Sequence, residues 1–181
     1  MDYRPPGIQG WMNDEALQWL FRQASLMSSV LEVGSWKGRS LHALLSGCPG
    51  PVFAVDHFRG NPEERESVHR EAVERDIFPD FWANVGHFRN LVVMRMASDE
   101  AARFFADGSL DMVFIDGSHL RENVLADLRA WWPKCRTLLC GHDIYNSGVV
   151  EALRDFGHDW KIEPGAIWSI DAKFQKSAVH A

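Results

Sequence analysis

Short apolar runs alternate with helix-patterned segments from residue 30 to residue 156, and this alternation constrains the fold more than any other feature of the chain. Strands are predicted at 30–33, 52–55, 91–95, 111–115 and 136–140, with helices at 38–46, 99–106, 119–132 and 147–156 between or after them. Strand–helix–strand units place successive strands parallel, so the pattern predicts a parallel sheet with helices on both faces. Before it, Asn13-Asp14-Glu15 opens a first helix expected to reach about Met27, because Ala16, Leu17, Leu20, Phe21 and Ala24 recur at helical spacing. A long polar helical region at 63–86 separates the second and third strands. The C-terminal part breaks the alternation: residues 160–163, Pro164-Gly165 and residues 166–170 read as a hairpin with a two-residue turn. The expected fold class is therefore α/β, a Rossmann-like doubly wound sheet of seven mostly parallel strands closed by a C-terminal antiparallel hairpin.

At 181 residues the chain suits one domain with a core of its own. Residues 1–12 are expected to form an arm or lid, 59–90 a helical insert and 175–181 a loose tail. The net charge of −6 lacks the basic patch that nucleic acid asks for, which leaves a small molecule as the expected partner. Cys48, Cys135 and Cys140 match no metal or redox spacing and read as reduced, buried thiols of a cytoplasmic protein. No apolar run approaches the length of a membrane span.

Ligands of open α/β sheets bind beyond the carboxyl ends of the strands, where strand order reverses. The tip of the first strand carries Glu32-Val33-Gly34-Ser35-Trp36-Lys37-Gly38-Arg39-Ser40. Gly34 and Gly38 permit positive φ and are expected to let a ligand lie against bare backbone. The spacing lacks the third glycine of a dinucleotide fingerprint, and the carboxylate of Glu32 suits a ligand with positive charge and hydroxyl groups. Other strand tips carry Asp56-His57, Ala97-Ser98, Asp116-Gly117-Ser118-His119 and Gly141-His142-Asp143.

These segments, with Gly10-Trp11 and Ala126-Asp127-Leu128, resemble the class I S-adenosylmethionine-dependent methyltransferases. More narrowly, they resemble the macrocin/mycinamicin-type sugar O-methyltransferases and their cephalosporin-hydroxylase-like relatives. The resemblance implies that Glu32, Gly34, Ser35, Trp36, Gly38 and Ser40 wrap the methionine part and ribose of S-adenosyl-L-methionine. It implies that Asp56 accepts from the ribose hydroxyls with His57 beside it, that Ser98 lies near the adenine and that Asp116 borders the same site. It also implies a divalent ion, typically magnesium, held by Asp116, His142 and Asp143, and a hydroxylated small molecule as acceptor. Catalysis would fall to Asp116 and to His119, a general base for the acceptor hydroxyl. His142 stands where such relatives carry an acid; imidazole suits zinc, iron or nickel better than magnesium, so the identity of the ion stays open.

The residues also admit plainer roles. Ser98, Asp116 and Asp143 suit helix capping, with the cap the preferred role for Ser98. His57 and His119 suit an exposed surface, and residues 1–12 and 59–90 suit a homodimer contact. A nicotinamide-dependent oxidoreductase, a non-haem iron oxygenase using His119, His142 and an aspartate, and a catalytically silent binding domain remain the competing classes.

Overall fold

The computed structural model describes residues 3–63 and 67–173. The tail at 175–181 and residues 64–66 of the predicted polar helical region lie outside the described residues. Seven strands form one sheet: β1 Val30–Val33, β2 Val52–Val55, β3 Leu91–Met94, β4 Leu110–Ile115, β5 Cys135–Gly141, β6 Lys161–Glu163 and β7 Ile167–Asp171. Their order is β3-β2-β1-β4-β5-β7-β6. β1 to β5 run parallel, while β7 pairs antiparallel with both β5 and β6. The order reverses between β1 and β4, which opens a crevice above their tips.

The helices are α1 Asp14–Ala24, α2 Arg39–Gly47, α3 Ser67–Glu74, α4 Phe78–Val85, α5 Ser98–Ala102, α6 Arg121–Trp131 and α7 Ser147–Phe156. Successive strand side chains point to opposite faces. Val30, Met112 and Phe114 therefore join α1, α2 and α4 in one core, with Leu17, Leu20, Leu41, Leu44 and Phe81. Leu31, Val33, Val113 and Ile115 join α6 and α7 in the other, with Leu128, Trp131, Leu153 and Trp168. Cys48, Cys135 and Cys140 are buried free thiols. Among the described residues no helix is long and apolar enough to cross a membrane.

The expected boundaries hold within a few residues except at four places. α1 stops at Ala24 rather than Met27. The region 63–86 is two helices, because Arg75-Asp76-Ile77 breaks the pattern and Asp76 Oδ1 accepts from the Phe78 amide at 3.0 Å. α5 is a single turn ending at Ala102. The hairpin turn has three residues, since Glu163 pairs with Ile167 and both Gly165 and Ala166 take positive φ.

Asp111, at the start of β4, ties the sheet together at the end opposite the crevice. It is 7% exposed. Its Oδ2 accepts from the Ser28 amide at 2.8 Å, and its Oδ1 accepts from Arg136 Nε on β5 at 2.9 Å. Burial works against the charge, but Arg136 and the Ser28 and Ser29 amides outweigh it and hold the carboxyl below its ordinary range. A depressed folded-state pKa contributes stability above the unfolded pKa of about 4, and that contribution is lost as pH falls through the folded value. Asp111→Asn should therefore cost about 1–3 kcal/mol at pH 7 in denaturant titrations, with the difference from wild type shrinking below about pH 4. A difference that stays constant down to pH 2 would contradict this role.

Candidate active site

The tips of β1, β2, β3, β4 and β5 surround one cavity of about 580 Å³. It is large enough for a cofactor-sized ligand. Of the residues singled out in the sequence, Gly34, Ser35, Trp36, Ser40, Asp56, His57, Ser98, Asp116, His119, His142 and Asp143 line it. Glu32 and Gly38 do not.

Glu32 shares the α2 face of β1 with Val30, as strand alternation requires, and is completely buried below the loop. Neither carboxyl oxygen completes a hydrogen bond. Burial raises its pKa to about 8; the nearby Ser35 and Ser40 hydroxyls offset only part of this, and Asp116 and Asp56 add to it. At neutral pH it is an uncharged acid under the site rather than an anion on its wall.

The glycines serve the protein's own crossings. A Cβ on Gly34, whose φ is +83°, would lie 2.4 Å from the Asp116 carbonyl oxygen and 2.4 Å from Gly117 Cα. Gly38, at φ +85°, faces Val85 of α4, 3.0 Å from where its Cβ would stand. The Cβ direction is thus filled by the β4 tip at Gly34 and by α4 at Gly38, while Gly34 itself still lines the cavity.

Asp56 organises the loop. Its Oδ2 accepts from the Ser35 and Trp36 amides, each at 2.9 Å, and its Oδ1 accepts from the Phe58 amide at 2.6 Å. A carboxylate has about four acceptor sites, so room for a ligand donor remains. His57 Nδ1 accepts from the Arg59 amide at 3.1 Å, which turns the β2 tip along the cavity rim.

At the β4 and β5 tips, one ligand atom each from Asp116, His142 and Asp143 lies within 4.8 Å of the others. His142 Nε2 donates to the Gly165 carbonyl at 3.2 Å. Nδ1 therefore faces the acids, 3.8 Å from Asp116 Oδ1 and 3.2 Å from Asp143 Oδ2. Trp168 Nε1 donates to the His142 carbonyl at 3.1 Å and fixes the backbone there. His119 Nε2 approaches Asp143 Oδ2 at 2.8 Å, which holds the ring over the cavity rather than in solvent.

Burial raises the Asp116 pKa to about 7, with Asp143 adding to the effect and the two imidazoles opposing it. Burial likewise disfavours charge on His142, but Asp143 and Asp116 dominate and bring it to about 8. Burial opposes ionisation of Asp143 as well, yet hydrogen bonds from His119 and His142 hold its carboxyl well below the usual range. Asp143 adopts φ +58°, uncommon for a residue with a side chain, and such backbones concentrate at functional sites. Neither acid caps a helix: the N-caps of α6 and α7 are Leu120 and Asn146.

Ser98 does not cap either. It is the first residue of α5, whose N-cap is Ala97, and its hydroxyl accepts from Trp131 Nε1 at 2.8 Å. That hydroxyl in turn donates to Asp127. Asp127, on α6, lines the cavity and was not singled out as a site residue in the sequence.

Lys37 was also missed. It is 5% exposed, and its Nζ donates to Gln9 Oε1 at 2.8 Å and Glu71 Oε1 at 2.7 Å, while standing 4.6 Å over the Trp36 ring. Trp36 packs on Trp11 with ring centres 4.5 Å apart. Arg39 donates to the Ile8 and Met12 carbonyls at 2.7 and 2.9 Å. These contacts gather the N-terminal arm and the insert onto the cavity, to which Gly10, Trp11, Met12, Asn61, Ala72 and Ile77 contribute.

A family model for a methyltransferase domain matches residues 31–144, from β1 to just beyond β5. The chain belongs to this family. Solved structures carry the same seven-stranded fold at low identity. A Corynebacterium glutamicum protein is 16% identical, with a TM-score of 0.64 over 92% of this chain and 83% of that one. An O-methyltransferase from Bacillus cereus, solved in complex with SAH, is 15% identical, with a TM-score of 0.55 over 92% and 84%. The O-methyltransferase TomG from Streptomyces achromogenes, involved in tomaymycin synthesis and solved with SAM, is 13% identical, with a TM-score of 0.58 over 84% and 78%. A search of curated proteins finds none that matches.

For this methyltransferase domain, Gly34→Ala should be among the most damaging small substitutions. The added methyl meets backbone on a neighbouring strand, so about 3 kcal/mol or more of stability should be lost, read as a fall in Tm. A variant that melts with wild type would contradict the close packing of the two tips.

Proposed function

We propose that this chain is an S-adenosylmethionine-dependent O-methyltransferase acting on a hydroxyl of a small molecule, of sugar or natural-product type, with assistance from a divalent ion. The observation that carries this is the joining of two half-sites in one cavity: a loop stapled by Asp56 on one side, and the Asp116, His142 and Asp143 cluster with His119 on the other. The cavity volume and its mixed apolar and carboxylate lining suit the methyl donor, with Asp56 placed to accept from ribose hydroxyls. Bound there, S-adenosylmethionine supplies an electrophilic methyl on sulfonium sulfur.

The cluster also suits a divalent ion. Its oxygen and nitrogen donors are close together, and the Gly165 carbonyl fixes the His142 tautomer that points Nδ1 inward, a feature shared by metal-binding histidines. An ion held by Asp116, His142 and Asp143 would lower the pKa of an acceptor hydroxyl. The nitrogen donor leaves zinc, iron or nickel as candidates beside magnesium.

His119 is held by Asp143 through Nε2, and its imidazole is the base that takes the hydroxyl proton. The Asp143 carboxylate stabilises the imidazolium that forms. Met12, Trp36, Phe58 and Ile77 give the cavity apolar walls, and such walls favour a transfer in which charge is neutralised. Holding donor and acceptor in line contributes much of the rate. The arm and insert act as the lid over this acceptor side.

Calorimetric titration with S-adenosylhomocysteine should show saturable binding, and an acceptor screen with labelled methyl donor should show turnover that rises with a divalent ion. His119→Ala should then slow turnover by about 10²- to 10⁴-fold with donor affinity nearly unchanged. Binding of NADH with no binding of S-adenosylhomocysteine would overturn the assignment.

A further inference from the structure

We propose that Lys37 is a positioning residue that couples the donor loop to the acceptor side, so that a donor bound at the loop also orders α3 and the N-terminal arm; this rests on the cofactor assignment above. Lys37 lies between the two glycines of the loop but does not line the cavity. Its buried ammonium reaches three other segments instead. It donates to Gln9 Oε1 of the arm at 2.8 Å and to Glu71 Oε1 of α3 at 2.7 Å, and it stands 3.7 Å from Asp80 Oδ2 of α4. Its carbonyl accepts from Asn84 Nδ2 on α4 at 2.9 Å. An ammonium withdrawn from water needs such partners, so the three segments gather on it.

Each of these segments supplies cavity wall close to its contact with Lys37. Gln9 precedes Gly10, Trp11 and Met12, Glu71 precedes Ala72, and Ile77 stands at the N-cap of α4 ahead of Asp80. α3 depends on Lys37 most, because among its described side chains only Ala72 is buried. The arm has a second tie in Arg39, which holds the Ile8 and Met12 carbonyls. Arg75 bonds both Glu71 and Asp80, so it joins α3 to α4 without reaching the loop.

The loop is held from the cavity side by Asp56, which accepts from the Ser35 and Trp36 amides. Trp36 takes φ +43°, a backbone that bulky side chains rarely adopt and that persists only where its surroundings hold it. Lys37 Nζ lies 4.6 Å over the Trp36 ring, and Trp11 of the arm packs on the same ring. A donor whose ribose engages Asp56 therefore acts on the residue that adjoins Lys37. Order passes from there through one side chain to α3 and the arm, and such coupling between sites is reciprocal.

Hydrogen–deuterium exchange of the full chain, read by mass spectrometry with and without saturating S-adenosylhomocysteine, tests this beside calorimetric titration with the same compound. In wild type the compound should slow exchange of α3 about fivefold or more, the lower end of ordinary coupling between sites, and slow the arm to a lesser extent. Lys37→Met should abolish the slowing of α3 while the central strands exchange as in wild type. By reciprocity the variant should bind S-adenosylhomocysteine about fivefold more weakly, although Lys37 lies outside the cavity lining. Arg75 still serves Glu71 and Asp80 in that variant; should it nevertheless fail to fold, Glu71→Ala, at a side chain 30% exposed, carries the same expectation for α3. A folded variant that binds the compound as tightly as wild type, or in which the compound still slows α3, overturns the role of Lys37 and leaves the cofactor assignment standing. A wild type that binds the compound with no change in α3 does the same. A wild type that does not bind it overturns both.

Discussion

The backbone of Gly34 lies against the backbone of Asp116 and Gly117, and the rest of the site depends on that contact. β1 and β4 are neighbours whose following helices leave to opposite faces, so their tips bound the crevice at the reversal of strand order. Any side chain at residue 34 would bring its Cβ within 2.4 Å of that backbone and force the tips apart. With hydrogen, the Asp56-stapled loop and the Asp116 carboxylate come to face one cavity. The two halves of the candidate site then share one boundary.

Charge around that boundary is graded rather than uniform. Glu32, Asp116 and Asp127 are all pushed upward by burial, whereas Asp143 is held low by two imidazoles. Groups with such divergent environments mark functional sites. Burial thus disfavours charge on three of the acids, whereas the hydrogen bonds from His119 and His142 favour it on Asp143. A carboxylate in the β1 motif was expected to face a cationic ligand, yet alternation along a four-residue strand turns Glu32 away from the crevice.

The parallel strands, their order of appearance and the strand-tip residues were legible because burial on both faces leaves continuous apolar runs, as at Val52–Val55 and Met112–Ile115. Helix ends and the hairpin turn were less legible. The positive φ of Ala166 lengthens the turn by one residue, and nothing in alanine announces that conformation. Ser98 looked like a cap because Asp99 and Glu100 follow it; its partner Trp131 lies on another helix, which local pattern cannot reveal. Lys37 read as one residue of a glycine loop, although its ammonium joins Gln9 and Glu71 from segments 28 and 34 residues away. Long-range partners decide such roles, and only the folded chain supplies them.

A methyl donor held by the β1 and β4 tips would lie between the Asp56 loop and the Asp116, His142 and Asp143 cluster. A crystal structure of the chain grown with saturating S-adenosylhomocysteine tests it most directly. The ribose hydroxyls should lie at Asp56, with the sulfur directed toward His119 and Asp116. Density for the compound outside this crevice, or an empty crevice at saturation, would contradict it.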